Sequence, residues 1–325
     1  MSTDNPLVSV LIPLYNSEAY ISEAIQSCLN QTYPNIEIII VDDGSTDNSY
    51  QKAKTFEGQR GLRIYRQENK GACVARNFAL EMSVGDYFQY LDADDLLVPD
   101  KIEKQMKLFE QYGNDIIVSG IWGRFYNSID DVKWEDQLIN KNYENPIEWL
   151  VDSWNGKGMG QTSIWLTPRK LIERAGKWDE TLTINQDGEF FCRVLLKAKA
   201  IKFCGEAKVF YRSGIKSSIS QQKRSKAKLD SLKRSFDSYV NQTKGKEARW
   251  LKKGLARNYM TVAIDAYPIY KDLSIEALNK ANALYDVNQV ELPVFGGRVI
   301  EFVKNNFSWK LARICAHYYR MLRYQ

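Results

Sequence analysis

Histidine is almost absent: His317, near the C-terminus beside Tyr318, Tyr319 and Arg320, is the only one in 325 residues. Its isolation argues against a histidine-centred triad or metal site, so proton transfer would fall to a carboxylate. The five cysteines (Cys28, Cys73, Cys192, Cys204, Cys315) show no Cys-x-x-Cys and no paired spacing. Neither a zinc site nor a disulfide framework is indicated, and reduced thiols in a cytoplasmic protein are expected. No uninterrupted run of about 18 apolar residues occurs, and no charged segment precedes an apolar one at the start. The expectation is an unexported protein without a membrane span. Also missing is Gly-x-Gly-x-x-Gly after the first apolar run, which ends in Pro13-Leu14-Tyr15-Asn16; this disfavours a dinucleotide-dependent oxidoreductase. A nucleotidyltransferase is disfavoured likewise, because no glycine-rich, arginine-containing loop stands near the N-terminus.

Positive charge is in excess but unevenly placed. The net charge is +5, and residues 223–257 hold twelve Lys/Arg against three Asp/Glu. Such a segment suits an anionic surface or polymer, or simply a solvated helix face. The length admits roughly two domains, or one α/β domain with an appendage.

The first 110 residues alternate two patterns. Strand-like runs at Val8–Ile12, Ile36–Val41, Leu62–Tyr65 and Tyr87–Leu91 are separated by helical patterns near Ser17–Leu29, Asp47–Phe56 and Gly71–Met82. This alternation predicts a parallel sheet covered by helices, with ligands outside the carboxyl ends of the strands. Polar residues collect at three of those ends: Pro13 to Asn16, Asp42 to Asp47, and Asp92 to Asp95. Further on, Trp149 to Gly160 is aromatic and glycine-rich and is expected as a loop over a site. A helical pattern spans Glu189 to Leu196, and the chain beyond Ser220 is expected to be mostly helical.

Asp92-Ala93-Asp94-Asp95 is the most informative cluster. Side chains two apart on an extended segment point the same way, so Asp92 and Asp94 would converge just past a buried strand. Two carboxylates so placed need a raised pKa, a basic partner or a hard cation whose shell substrate phosphates complete. A solvated acidic turn ahead of the helix opened by Pro99 and Asp100 is the other reading.

Four ordered segments, Val10 to Asn16, Val41 to Asp47, Asn69 to Asn77 and Gly85 to Asp95, together resemble the family 2 glycosyltransferases of GT-A fold. The resemblance is close over about residues 6–112 and looser to about Ser220. It implies an α/β GT-A domain over 1–220, with a donor-binding half at about 1–112 and an acceptor and base half at about 113–220. A basic, mostly helical extension would follow over 221–325.

It further implies inverting transfer of a sugar from a nucleotide-diphosphate donor to an acceptor hydroxyl. Pro13 and Tyr15 would line the base pocket, and Asp43 would accept from an imide N–H such as that of uracil. Asp92 would lie near the ribose, Arg76 would approach the donor, and Asp94 matches the family's main metal aspartate, holding Mn2+ or Mg2+. Asp187 matches the family's base. The residue before it is Gln186 rather than the commoner acid, and Glu189 is the competing base. Arg212, in Phe210 to Gly214, would reach donor phosphate or acceptor.

The expected partners are a nucleotide sugar, UDP-linked for preference, and a glycan or glycolipid acceptor in surface polysaccharide assembly; nucleic acid is not expected. Near the C-terminus Ile300, Val303, Phe307, Leu311, Ile314, Tyr318 and Leu322 recur at helical spacing with Lys304, Lys310, Arg313, Arg320 and Arg323 alongside. That pattern suits peripheral contact with an anionic membrane, or packing against protein. A non-catalytic relative that binds an anionic polymer through its basic C-terminal part stays open.

Overall fold

The computed structural model describes residues 5–215 and 225–323, with side chains through residue 319. The predicted alternation is observed: β1 (Val8–Leu14), α1 (Ile21–Leu29), β2 (Ile36–Asp43), α2 (Ser49–Lys54), β3 (Leu62–Gln67), α3 (Ala72–Met82) and β4 (Tyr87–Tyr90) follow in order. Next come β5 (Leu96–Leu97), α4 (Lys101–Tyr112), β6 (Ile116–Phe125), β7 (Lys133–Trp134), α5 (Pro146–Trp154), β8 (Thr167–Pro168), α6 (Arg169–Ala175), α7 (Gln186–Leu195) and β9 (Ala200–Arg212). The C-terminal helices are α8 (Lys226–Gln242), α9 (Arg249–Ala266), α10 (Lys271–Leu284), α11 (Arg298–Asn306) and α12 (Trp309–Arg323).

Two sheets form. The first has the order β3-β2-β1-β4-β8, parallel except for β8 at one edge. Every residue of β2 and β4 is buried, which explains their mostly apolar character: a parallel strand covered on both faces has no solvent side to mark with alternating polar residues, and the polar exceptions short of the strand ends, Glu37 and Gln89, are hydrogen-bonded inside the protein. The chain builds outward from β1 through β2 to β3, then returns to pair β4 on the other side of β1. That reversal is a topological switch point, where the crevice between the carboxyl ends of β1 and β4 opens to a ligand.

The second sheet has the order β5-β9-β6-β7, with long parallel strands β6 and β9 at its centre. Their register shifts between Ser119 and Ile121. At Gly120, between them, a Cβ would stand 2.3 Å from the Ala207 carbonyl oxygen, so only glycine allows the strands to close at this irregularity.

The chain divides into two compact units. Among the described residues one comprises 5–149, 158–180 and 186–215; the other comprises 150–157, 181–185 and 225–323. The expected boundary at 220/221 lies outside the described residues. Within the second unit Trp154 stacks on Tyr239 at 5.0 Å between ring centres, and Tyr259 and Lys280 both donate to Asp237. Among the described residues no helix is long and apolar enough to cross a membrane.

The stretch from Trp149 to Gly160 departs from its expectation as a loop. Its first part completes α5, with Trp149, Leu150 and Val151 buried and the Trp149 ring edge-on to Trp165. Three consecutive bulky side chains inside the protein secure the helix that the nearby glycines obscured.

Candidate active site

The switch-point crevice is rimmed by loops that hydrogen-bond to one another. Asn16, at φ 44°, donates its N–H to Ser45 Oγ (3.0 Å), and its own Oδ1 accepts from Thr46 N–H (2.8 Å). Ser17 N–H donates to Ser49 Oγ at 2.7 Å. The turns after β1 and β2 are thereby tied together. They hold half-buried Pro13 and exposed Tyr15 at the carboxyl end of β1, with Tyr15 48% exposed.

Asp43 closes β2 and is buried. Oδ1 accepts from Gln67 Nε2 (2.7 Å) and Lys70 N–H (2.9 Å), while Oδ2 accepts from Gly71 N–H (2.8 Å). The carboxylate therefore shapes the loop that leads into α3 and has acceptor capacity left for one further donor. Gly44, at φ 72°, lies against this loop: a Cβ there would be 2.8 Å from Asn69 N.

Arg76 projects from α3 and is buried. Nη2 donates to Asp92 Oδ1 at 2.8 Å, Nη1 donates to Gln186 Oε1 at 3.1 Å, and the guanidinium lies 4.6 Å from the centre of the Trp178 ring. One side chain thus joins the end of β4 to the start of α7. Asp187, on the first turn of α7, is half-buried. Loss of solvent pushes its carboxyl above the usual range, and Arg76 opposes that rise. The helical pattern read from Glu189 begins three residues earlier in the structure, which puts Asp187 on the helix rather than before it.

Beyond β4, the alternation of the sequence is visible in burial: Asp92 and Asp94 are half-buried, and Asp95 is buried. Asp95 is an anchor, accepting from Arg212 N–H at 2.9 Å and from Gln161 Nε2 at 2.7 Å. Desolvation, then the charge of Asp92, pushes the Asp94 carboxyl up to about 6. A carboxylate disfavoured on both counts is one that a hard cation would relieve, so the donor chemistry fits Mn2+ or Mg2+. Among the described residues no three of His, Cys, Asp and Glu gather into a metal cage.

Two residues take places other than those expected. Arg212, expected at donor phosphate or acceptor, instead donates through Nε to the Asp94 carbonyl (3.0 Å) and through Nη2 to Glu23 Oε2 (2.6 Å). It lies between Tyr20 and Phe125, within 5 Å of each ring centre. It braces the acidic turn from behind. Glu189, the competing base, is buried and binds Arg193 through both oxygens at 2.8 Å, as an i,i+4 pair. Its carboxylate is committed to holding α7.

Sequence reasoning did not single out Gln161 or Trp178 for this site. Gln161 carries no local signal, since its partner Asp95 is 66 residues away. Trp178 is hidden likewise, since the guanidinium it faces, that of Arg76, stands about a hundred residues earlier in the chain.

The profile described as Glycosyl transferase family 2 matches residues 9–174, just over half of the chain. The chain belongs to glycosyltransferase family 2. The match takes in every site residue from Pro13 to Asp95 and stops before Asp187. A Haemophilus influenzae protein described as an uncharacterized glycosyltransferase is 44% identical over 108 residues, 33% of this chain and 43% of its own. TuaG of Bacillus subtilis, a glycosyltransferase named for teichuronic acid biosynthesis, is 45% identical over 109 residues, again 33% of this chain and 43% of its own. The chain spans less than half the length of these two curated relatives. Among solved structures, S. aureus TarS 1-349 in complex with UDP-GlcNAc superposes with a TM-score of 0.70 at 17% identity, covering 97% of this chain and 91% of that one. The shared architecture is the GT-A fold with a helical C-terminal region, as the sequence resemblance implied.

Proposed function

We propose that this family 2 member is an inverting glycosyltransferase that moves a sugar from a nucleotide-diphosphate donor to a hydroxyl of a glycan or lipid-linked acceptor. The observation that carries this reading is Arg76, which ties Asp92 at the end of β4 to Gln186 beside Asp187. A residue suited to gripping the donor and a residue suited to taking a proton are thereby held in one hydrogen-bonded unit.

In this reading Tyr15 and Pro13 receive the base, with the exposed tyrosine ring offering a stacking face. Asp43 accepts from the imide edge through its remaining capacity, and this favours UDP over nucleotides lacking that donor. Asp92 lies toward the ribose. Asp94 would hold Mn2+ or Mg2+, which supplies charge neutralisation for the departing diphosphate. Asp187 takes the acceptor's hydroxyl proton as the oxygen attacks the anomeric carbon from the side opposite the leaving group. Burial favours proton uptake by Asp187, while Arg76 keeps the carboxylate available.

The product class suggested by TuaG's name is a cell-surface polysaccharide, and we extend it to this chain as part of the proposal. Peripheral membrane contact is included as well: of the apolar residues that recur at helical spacing, Phe307, Leu311 and Tyr318 are exposed while Ile300, Val303 and Ile314 are half-buried, and the exposed Val299 and Phe302 stand beside them on α11, as an interfacial helix would present them. Arg320, Leu322 and Arg323 of the same amphipathic pattern lie outside the residues with described side chains.

Calorimetric titration with UDP, dTDP and GDP, with and without Mn2+, tests the donor assignment. Cation-dependent binding of uracil or thymine nucleotides over GDP is expected, with loss of the cation dependence in Asp94→Asn. Indifference to nucleotide and cation alike would contradict the reading.

A further inference from the structure

The second sheet carries two basic side chains whose placement the donor site does not explain. Arg124 near the end of β6 lies directly opposite Lys133 of β7 in the antiparallel ladder. Directly opposed residues share a sheet face, and like charges so placed repel. Lys133 is exposed. Arg124 lies against a pair of touching aromatic rings, its guanidinium 5.3 Å from the centres of both Trp122 and Tyr211, which are themselves 5.5 Å apart. Of its five N–H donors one goes to Ser213 Oγ at 2.7 Å. Glu135 stands 3.9 Å from Nε, beyond hydrogen-bond reach, and offsets part of the charge.

The position of this pair is set from two directions. Arg124 registers with Tyr211 on β9, and the next residue, Arg212, holds the Asp94 carbonyl and the Asp95 carboxylate. On the other side Trp122 Nε1 donates to the Met159 carbonyl at 3.0 Å, and Gln161, two residues on, donates to Asp95. The acidic turn and the residues packed around Arg124 thus contact the same two segments, the end of β9 and residues 159–161.

We propose that Arg124 and Lys133 form an acceptor subsite for a sugar bearing an oxyanion, either a phosphate or a carboxylate. The proposal rests on the glycosyltransferase reading above. A planar guanidinium held against the Trp122–Tyr211 ring pair offers paired N–H donors to such a group, and the opposed ammonium supplies the second charge. An anion would relieve the repulsion that the ladder imposes.

The test is calorimetric titration of the full chain, saturated with UDP and Mn2+ so that the donor pocket is filled, with glucose 6-phosphate, glucuronate and glucose. A charged sugar should bind about tenfold tighter than glucose or better, the worth of a charge-assisted hydrogen bond. The double variant Arg124→Gln, Lys133→Gln should lose that preference and keep the UDP affinity of the native chain, which also reports its folding. Preference for the phosphate sugar alone, or for glucuronate alone, supports the subsite and names its group. Equal binding of all three sugars, or a preference that survives in the double variant, overturns it. Failure of the native chain to bind UDP would instead overturn the donor reading, and the subsite would then be read from the same titrations without nucleotide.

Discussion

Arg76 and Gln186 lie 110 residues apart in sequence and meet at 3.1 Å, one residue before Asp187. Where the family commonly has an acid, this chain has an amide, so Arg76 pairs with one carboxylate here, that of Asp92, and lends its remaining field to Asp187. Gln186→Glu should therefore move the acid limb of the kcat profile to higher pH, because a new negative charge disfavours ionisation of Asp187 and screens Arg76. Arg76→Lys removes the fork that spans the two partners and should lower kcat on the order of 10²-fold. The pH profile separates the effects: the lysine variant keeps its charge and should leave the limb nearly in place.

Asp187 and Glu189 are predicted to separate cleanly. Asp187→Asn should cost about 10²–10⁴-fold in kcat with little loss of stability. Glu189→Gln leaves Arg193 buried without its carboxylate and should destabilise the fold by about 3–5 kcal/mol, while folded protein retains turnover. Thermal melts run alongside initial rates distinguish the two; the reverse pattern would make Glu189 the base.

The pH dependence of turnover follows from the sign of the Asp187 shift. The proposed base, Asp187, must be ionised to act, and its carboxyl is raised by burial, so kcat should fall as pH drops through a value above that of an ordinary aspartate. For Asp94, raised to about 6, the proposed cation would compete with the proton. Mn2+ affinity, measured by calorimetry in the presence of UDP, should rise with pH through that value and level off above it. Asp94→Asn should abolish that dependence.

Lys101 bears on stability rather than chemistry. It is fully buried and donates to Gln89 Oε1, and desolvation holds its ammonium well below the usual lysine range. Between that depressed value and about 10.4 the unfolded chain binds a proton that the native chain does not, so stability rises with pH across this window. In Lys101→Met, denaturant unfolding measured between pH 7 and 9 should lose that slope, whatever its absolute stability.

The elements that could be read in advance were those whose pattern is local. β1, β2 and β4 are mostly apolar because both faces are covered, with Ser9, Glu37 and Gln89 the buried exceptions, and the residues at their carboxyl ends were recognisable from order and spacing. The start of α7 was not, because Gln186, Asp187 and Gly188 are polar or flexible residues that carry no helical periodicity. The partners of Arg212 and Glu189 were hidden for different reasons. Glu23 meets Arg212 across 189 residues, while Arg193 is only four residues from Glu189 and the pairing depends on both being turned inward. Arg212 looks like a ligand contact in sequence because nothing local shows that Asp94 and Asp95 lie beneath it.

The most direct test of the central claim is Mn2+-dependent release of nucleoside diphosphate from a panel of UDP-, dTDP- and GDP-sugars, in native protein, Asp94→Asn and Asp187→Asn. The account predicts that the native chain selects one donor and that both variants lose at least about 10² in rate. Release that is equal in all three proteins, or no donor turnover together with no nucleotide binding, would contradict it and favour a non-catalytic role for this GT-A domain.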